Sequence, residues 1–397
     1  MNKRSHIAPA LIYLTGLGAL LLSDILVTKF LSARSVATWA EIRSLVGITS
    51  VLCLVGLDQV FMRSPQSSAR LLKILALQIP VLAALLAGVS YVLKINQNWI
   101  AVMALSVGAA GSLALFQFYR SHNRKSSSQF AQQSWRIFGL GVILYSIVFD
   151  LSLELTSALA ATMLLAFFVS LIPAAFFRMP SEEPEKMGLI YRIGVRFLIT
   201  SALLSLAIYA EQLVVSSLGT AEESAYYFTH ATYFLFPISL LNGYFAFNIG
   251  PWIRGHRAAF VRITEKKMLM VVFAAVSYSV VVHIVGWGSW LILDPGNKSP
   301  EMALQIFFLG SCIMRTLYML PAGYMGVFGV PSQHDQLIKL QVAALATSIA
   351  LFLVMFLSLD FPVAHATVVA SFVNWLLRTL AGFRMIRSIE TSQLVSL

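Results

Sequence analysis

Long apolar runs separated by short polar stretches dominate the chain. About twelve of these runs reach the ~20 residues that a helix needs to cross the hydrocarbon core of a bilayer. The predicted spans are 7–31, 40–62, 71–93, 98–118, 136–153, 157–177, 188–218, 225–249, 268–292, 302–328, 337–358 and 362–383. The pattern predicts an all-α integral membrane protein with about twelve transmembrane helices. Ten or fourteen are the alternatives, because residues 154–156 and 360–362 form very short turns between neighbouring runs.

The loops predict the orientation of these helices. Most Lys and Arg residues outside the spans fall on one side of the membrane, and Arg136 is counted there with the polar stretch 120–135. The other side carries Lys29, Arg34, Lys94 and Lys298. Because cytoplasmic loops are enriched in Lys and Arg, both termini are predicted to be cytoplasmic.

The two halves of the sequence repeat each other. Asp24 and Glu211 lie in matching apolar segments at a constant offset of 187 residues (211 minus 24). A proline-containing acidic stretch, 179–186, is the natural linker. It divides the chain into an N-terminal six-helix lobe at 1–180 and a C-terminal six-helix lobe at 187–397. An even number of helices per lobe indicates a parallel repeat.

Composition excludes a soluble protein. Hydrophobic residues make up 58% of the chain and charged residues only 11%, whereas charged residues are about 25% of a soluble domain. The net charge of +11 belongs to the loop cations, so no nucleic-acid partner is expected. Cys53 and Cys312 lie in apolar runs and are predicted to be core residues.

Signatures of catalysis are absent from the sequence. No nucleotide-binding P-loop, zinc-protease or serine-hydrolase motif occurs, and no external loop is long. We therefore predict a transporter, with no cofactor, no metal and no enzymatic activity.

Two acids lie at membrane depth, where a charge costs about 2.5–3.5 kcal/mol on insertion scales. Asp24 and Glu211 have two interpretations. Each could hydrogen-bond a neighbouring helix for structural reasons, or each could bind a proton or Na⁺ and couple an ion gradient to transport.

Several arginines also fall within the spans. Arg196 is predicted either to bind an anion or to extend to the interface, and Arg378 to extend to the interface. Arg43 lies beside Glu41, so it either forms a local pair or lines a cavity. Arg315 is isolated, with no acid within four residues. Guanidinium groups match phosphate geometry, so arginines in a cavity favour a phosphorylated cargo.

Three motifs resemble a known family. They are Gly56-Leu57 followed by Arg63, Glu211-Gln212 followed by Leu218-Gly219 and Tyr226-Tyr227, and Pro251 at the end of the eighth helix. With these motifs the chain resembles the polysaccharide flippases of the multidrug/oligosaccharidyl-lipid/polysaccharide exporter superfamily. One departure is Glu211-Gln212, where the family pattern has Asp-Arg.

The resemblance implies two lobes around a cavity and alternating access. The implied cargo is an undecaprenyl-pyrophosphate-linked oligosaccharide, moved across the bacterial inner membrane for O-antigen, capsule or exopolysaccharide synthesis. The implied cavity residues are Asp24, Arg43, Arg196 and Glu211, and we add Arg315 because of its isolation. The implied partners are the lipid-linked oligosaccharide, membrane lipids, coupling H⁺ or Na⁺, and a glycan polymerase complex.

Two other functions compete with this prediction. A cation-coupled antiporter of the multidrug and toxin extrusion type has the same fold, but its cargo would favour more acids than arginines in the cavity. A membrane glycan polymerase would need a catalytic acid or base on an external loop. Glu154, Asp294 and Glu301 are sparse candidates for that role.

Overall fold

The computed structural model describes residues 4–93, 95–96, 98–149, 154–176, 187–293, 299–329 and 331–394. This part of the chain forms fifteen α-helices. The first eight are α1 (Arg4–Phe30), α2 (Ala33–Leu54), α3 (Leu57–Arg63), α4 (Ser68–Val92), α5 (Trp99–Ser121), α6 (Lys125–Val148), α7 (Leu155–Ala175) and α8 (Met187–Leu218). The others are α9 (Ala221–Phe234), α10 (Phe236–Gly255), α11 (Arg257–Lys266), α12 (Met268–Leu293), α13 (Met302–Phe328), α14 (Pro331–Leu353) and α15 (Val363–Leu394).

Within the described residues, ten helical stretches are long and apolar enough to cross a membrane. The two remaining predicted spans correspond to α6, whose first half is polar, and to the pair α9 and α10, which is divided at Leu235. The predicted class, a multi-pass all-α membrane protein, is confirmed. The cytoplasmic placement of both termini stays a prediction.

Helix α6 begins well before the predicted span at 136–153. The polar stretch before it was predicted to be a loop, and that prediction is wrong because its polar side chains point into the protein. Ser128, Gln129 and Gln133 are buried, and the Ser128 hydroxyl donates to the carbonyl of Phe116 at 2.8 Å. Polarity here marks a buried helix face.

A break divides the predicted second span into α2 and α3. Ser32 caps α2 by accepting from the backbone N–H of Ser35 at 3.3 Å. The helix ends at Val55 and Gly56, which have φ values of 50° and 70°. A Cβ on Gly56 would lie 2.0 Å from the carbonyl oxygen of Gly194. The left-handed backbone and the close approach of α8 both require glycine.

Three other boundaries differ from the sequence predictions. Helix α9 starts with a capping box formed by Thr220 and Glu223. Pro237 lies in the first turn of α10 and has no backbone N–H, so a helix continuing through Leu235 would lack one hydrogen bond there. The stretch 254–267 was predicted to be a loop but contains α11. Helix α14 ends in a π-helical turn at Val354–Ser358.

Two compact units make up the chain, Met1–Ser217 and Leu218–Leu397. In the first unit, α5 packs against α2, α4, α6 and α7, while α1 runs along α6. In the second unit, α13 packs against α10 and α15, and α14 packs against α15. Helix α8 groups with the first unit. The predicted linker at 179–186 lies outside the described residues, and the six-plus-six repeat stays a prediction.

Candidate substrate and ion sites

Asp24 is fully buried near the C-terminal end of α1, six residues before Phe30. Its Oδ1 accepts a hydrogen bond from the indole N–H of Trp39 at 2.8 Å. Its Oδ2 accepts from Nη1 of Arg43 at 2.5 Å, which is also an ion pair. Both partners come from α2, so the acid fastens the first two helices together. A buried carboxylate needs such a partner, because an isolated buried charge is very costly.

Arg43 pairs across helices and not with its sequence neighbour. The nearby Glu41 accepts instead from the side-chain amide of Asn96 at 2.9 Å. The side chain of Arg43 is 13% exposed. The prediction of a local pair with Glu41 is therefore wrong, and Arg43 belongs to the cluster around Asp24.

Arg136 is the second guanidinium of this cluster. Its placement among the loop cations was wrong, because it lies in the middle of α6. Its electrostatic interactions reach Asp24, Arg43, Tyr13 and Tyr209. Nε and Nη1 are buried, and no hydrogen-bond partner for either lies among the described residues. The cluster thus holds two arginines and one aspartate from three helices.

Glycines allow the helices around the cluster to approach closely. A Cβ on Gly16 of α1 would lie 2.5 Å from the Cβ of Gln133, three residues before Arg136. A Cβ on Gly47, one turn after Arg43, would lie 2.3 Å from the ring of Tyr209 on α8. The first contact brings α6 to α1, and the second brings α8 to α2.

The predicted site residues of α8 are half-buried. Arg196 and Glu211 both belong to the first unit, together with Asp24 and Arg43. The backbone carbonyl of Arg196 accepts from the Thr200 hydroxyl at 3.2 Å. Anion binding by Arg196 and ion coupling by Glu211 stay predictions.

In the second unit, two arginines lie against one indole. Arg315 of α13 is 6% exposed, and its Nη1 donates to the Ser239 hydroxyl at 3.3 Å. Its guanidinium lies 4.9 Å from the centre of the Trp375 ring. Arg378 of α15 lies 6.0 Å from the same ring. Its Nε donates to the side-chain oxygen of Asn374 at 3.0 Å.

The prediction that Arg378 extends to the interface is wrong, since the side chain is fully buried. It also hydrogen-bonds the phenol of Tyr318, which accepts from the amide of Gln341 at 2.6 Å. The sequences of α10, α12 and α13 contain no Asp or Glu. Arg315 and Arg378 contact rings, an amide and hydroxyls that belong to α10, α13 and α15.

A third polar cluster surrounds Glu301, directly before α13. Its Oε2 accepts from the Tyr226 hydroxyl at 2.5 Å, and its Oε1 contacts Nε2 of His365 at 2.5 Å. Its backbone N–H donates to Nε2 of His230 at 3.1 Å. Burial raises the pKa of Glu301. The hydrogen bonds and the electrostatic interaction with His365 lower it by more, so that the pKa lies below its ordinary value of 4.5. Packing and hydrogen bonding between helix ends account for this acid, which was a candidate catalytic residue.

No known protein family and no curated protein matches the chain at the level of sequence. Among the solved structures that match it, two do so over nearly its whole length. The first is a eukaryotic MATE transporter, AtDTX14, with a TM-score of 0.51 and 14% identity, covering 98% of this chain and 97% of the other. The second is the inward-facing conformation of a multidrug resistance MATE family transporter of the MOP superfamily. Its TM-score is 0.55 at 15% identity, and the match covers 96% of this chain and 99% of the other.

The chain has the MATE fold. The second of these structures is described as a member of the MOP superfamily. At 14% and 15% identity the comparison identifies a fold. The narrower resemblance to polysaccharide flippases and the cargo it implies stay predictions.

Sequence reasoning missed several members of the buried clusters, among them Trp39, Arg136 and Arg378. A signal for Arg136 was available. Gln129, Gln133 and Arg136 are spaced i, i+4 and i+7, which places them on one face of a helix. Trp39 and Arg378 carried no comparable signal, because an aromatic or cationic residue near a predicted helix end usually belongs to the interface.

Proposed function

We propose that the protein is a membrane transporter whose cargo carries a negatively charged group. The observation that carries the proposal is the charge of the two buried clusters. Arg43 and Arg136 in the first unit and Arg315 and Arg378 in the second are four guanidiniums, and Asp24 is the carboxylate among them. Buried cations at membrane depth are costly and mark the path of a substrate or ion.

A lipid-linked oligosaccharide is the cargo that we propose. Its pyrophosphate carries the charge that guanidinium groups bind bidentately, and the family resemblance of the motifs points to the same cargo. In this proposal Arg43, Arg196 and Arg315 bind the cargo, while Asp24 and Glu211 couple transport to H⁺ or Na⁺. The transporter then acts in a bacterial inner membrane and supplies a glycan polymerase.

A second candidate is a cation-coupled antiporter of the multidrug type. The fold comparison favours it, since both solved structures are MATE transporters and one is described as a multidrug resistance protein. The fold comparison supports this candidate better than it supports the flippase. The excess of buried guanidiniums favours the anionic cargo, because an organic cation would be repelled by Arg315 and Arg378.

One experiment separates the two candidates. The purified chain is reconstituted into proteoliposomes with either a fluorescent polyprenyl-pyrophosphate oligosaccharide or the organic cation tetraphenylphosphonium. We expect movement of the pyrophosphate lipid between leaflets and no accumulation of the cation. Accumulation of the cation driven by a proton gradient, without lipid movement, would establish the antiporter instead.

Two arginine variants test the site in the same vesicles. Arg315→Gln and Arg196→Gln should each reduce lipid movement at least about tenfold, a loss typical of one hydrogen-bonded charge. The matched control is Arg384→Gln, which changes an exposed arginine of α15 and should keep the wild-type rate. Wild-type rates in both site variants would remove the anion-binding role of these arginines.

A further inference from the structure

The carboxylate of Asp24 accepts a hydrogen bond from the guanidinium of Arg43, a group that could otherwise bind an anion. Nη1 of Arg43 donates to its Oδ2 at 2.5 Å. An incoming phosphate group must therefore compete with this carboxylate for Arg43. Any event that removes the negative charge of Asp24 frees Arg43 for another acceptor, and protonation is such an event.

We propose that the first unit binds a phosphate-type dianion through Arg43 and Arg136, and that this binding is coupled to protonation of Asp24. Proton and anion then bind together and do not displace each other. This inference rests on the proposed anionic cargo, but it concerns a binding equilibrium that can be measured without transport.

Arg136 is the residue that makes the site a pair of guanidiniums. It interacts electrostatically with both Asp24 and Arg43, and its Nε and Nη1 are buried with no hydrogen-bond partner in the part of the chain that the structure describes. Buried donors left without partners cost free energy. Two such donors on one planar group match the oxygens of a phosphate or sulfate.

Protonation of Asp24 makes the cluster more positive, which favours binding of a dianion. With Asp24 ionised, the two arginines and the acid sum to one positive charge; with Asp24 protonated, they sum to two. Tyr13 on α1 and Tyr209 on α8 also interact electrostatically with Arg136. A dianion is therefore balanced only in the protonated state.

Protonation can occur without dismantling the cluster. The indole N–H of Trp39 continues to donate to Oδ1 of Asp24, since that oxygen is an acceptor in both states. A proton on Oδ2 faces Nη1 of Arg43, and two donors cannot share one hydrogen bond. The guanidinium of Arg43 then turns towards the anion. The bound anion replaces the Asp24 carboxylate as the acceptor for Nη1 of Arg43. Glu41 does not interfere, since it accepts from Asn96.

The test uses sulfate, a dianion whose charge stays constant over the relevant pH range. Sulfate binding to the purified full-length protein in nanodiscs is measured by isothermal titration calorimetry between about pH 5.5 and pH 8.5. Because one proton is taken up with the anion, the affinity of the wild type should rise as pH falls, by at most about tenfold per pH unit.

Two variants locate the effect. Asp24→Asn imitates the protonated acid, so it should bind sulfate about tenfold or more tightly than the wild type at about pH 8.5 and lose the pH dependence. Arg136→Gln should weaken sulfate binding about tenfold or more at acid pH, whereas Arg136→Lys should retain part of it. The matched control, Arg124→Gln, changes an exposed cation directly before α6 and should match the wild type.

Specific outcomes would overturn the proposal. They are an affinity that falls with falling pH, an Asp24→Asn variant that binds no better than the wild type at alkaline pH, or unchanged binding in Arg136→Gln. A thermal unfolding scan of each variant checks that it is folded. If Arg136→Gln is not folded, Arg136→Lys tests whether Arg136 contributes to sulfate binding.

Competition identifies the source of the anion. Farnesyl pyrophosphate and inorganic pyrophosphate are each titrated against bound sulfate. Displacement by farnesyl pyrophosphate at much lower concentration supports a lipid headgroup, and equal displacement supports a free phosphate. Coupled sulfate binding without movement of the pyrophosphate lipid would refute the proposed cargo and keep this inference. Lipid movement with pH-independent sulfate binding would refute the inference alone.

Discussion

The two units of the molecule bury their cations in different ways. In the first unit, Arg43 is held by a carboxylate, Asp24, with Arg136 nearby. In the second unit, Arg315 and Arg378 lie against the Trp375 ring and bond to hydroxyl and amide oxygens. The first cluster contains a carboxylate that a proton can neutralise, whereas these contacts of the second cluster are to an aromatic ring, a hydroxyl and an amide.

This difference separates two physical roles. A buried ion pair adds little net stability, yet breaking it by removing one partner is strongly destabilising. A cation over an aromatic face is stabilised by a neutral partner, so its charge remains available to a ligand at any pH. We infer that the first unit can respond to protons, while the second presents a fixed positive charge.

The largest expected effect comes from deleting the carboxylate. Asp24→Leu leaves Arg43 buried without its counter-charge and should lower the free energy of unfolding by about 3–5 kcal/mol. Asp24→Asn removes the same charge but keeps an oxygen that accepts from Trp39, so it should be destabilised less than Asp24→Leu. Thermal unfolding in detergent measures both variants. A melting temperature of Asp24→Leu equal to that of the wild type would mean that Arg43 finds another partner and that the ion pair does not hold α1 to α2.

A smaller effect comes from adding an acid to the second cluster. Asn374→Asp places a carboxylate at the position that accepts from Nε of Arg378 at 3.0 Å. Movement of an anionic lipid should fall about tenfold near neutral pH and recover on acidification, as the new acid is protonated. Asn374→Ser removes the amide without adding charge, so it should show no recovery at low pH. A pH profile of transport that stays flat in Asn374→Asp would contradict the fixed-charge interpretation.

The smallest effect concerns the acids near the helix ends. Hydrogen bonding holds the pKa of Glu301 below 4.5, so its contribution to stability is present above that pH and is lost as pH falls through the lower folded-state value. Glu301→Gln should flatten this acid loss by about 1 kcal/mol or less, because the site is partly exposed. Thermal unfolding between about pH 3 and pH 6 measures it.

Glu154 before α7 provides the comparison in the first unit. A hydrogen bond from Ser157, with further bonds from Asn98, lowers the pKa of Glu154. This acid is exposed, so Glu154→Gln should change the acid stability less than Glu301→Gln does. A larger change in Glu154→Gln would show that exposure does not govern these two sites.

Much of the fold could be predicted, because apolar length directly reflects the bilayer. The predicted spans 268–292 and 302–328 agree with α12 and α13 to within a residue. The prediction failed where a helix turns a polar face inwards. The first half of α6 is polar in sequence and buried in structure. Hydropathy averaged over all faces of the helix therefore predicts a loop there.

The site was partly predictable for a related reason. Asp24 and Arg315 are isolated charges in apolar surroundings, and such charges need a partner wherever the helix lies. The identity of each partner depends on which helices approach each other, and sequence spacing within one helix does not give that. Arg43 therefore paired with Asp24, nineteen residues away, and not with Glu41 beside it.

The π-helical turn that ends α14 changes how this segment can vary in length. The N–H of Leu359 bonds the carbonyl of Val354 at 3.2 Å, and the N–H of Phe361 bonds that of Met355 at 3.1 Å. Such a wide turn accommodates one more residue than a regular α-helical turn. Loss of one residue within 354–358 would restore regular winding and leave the earlier turns in phase. The same loss near the middle of α14 would rotate the rest of the helix by about 100°. Its exposed apolar side chains would then no longer face the lipid.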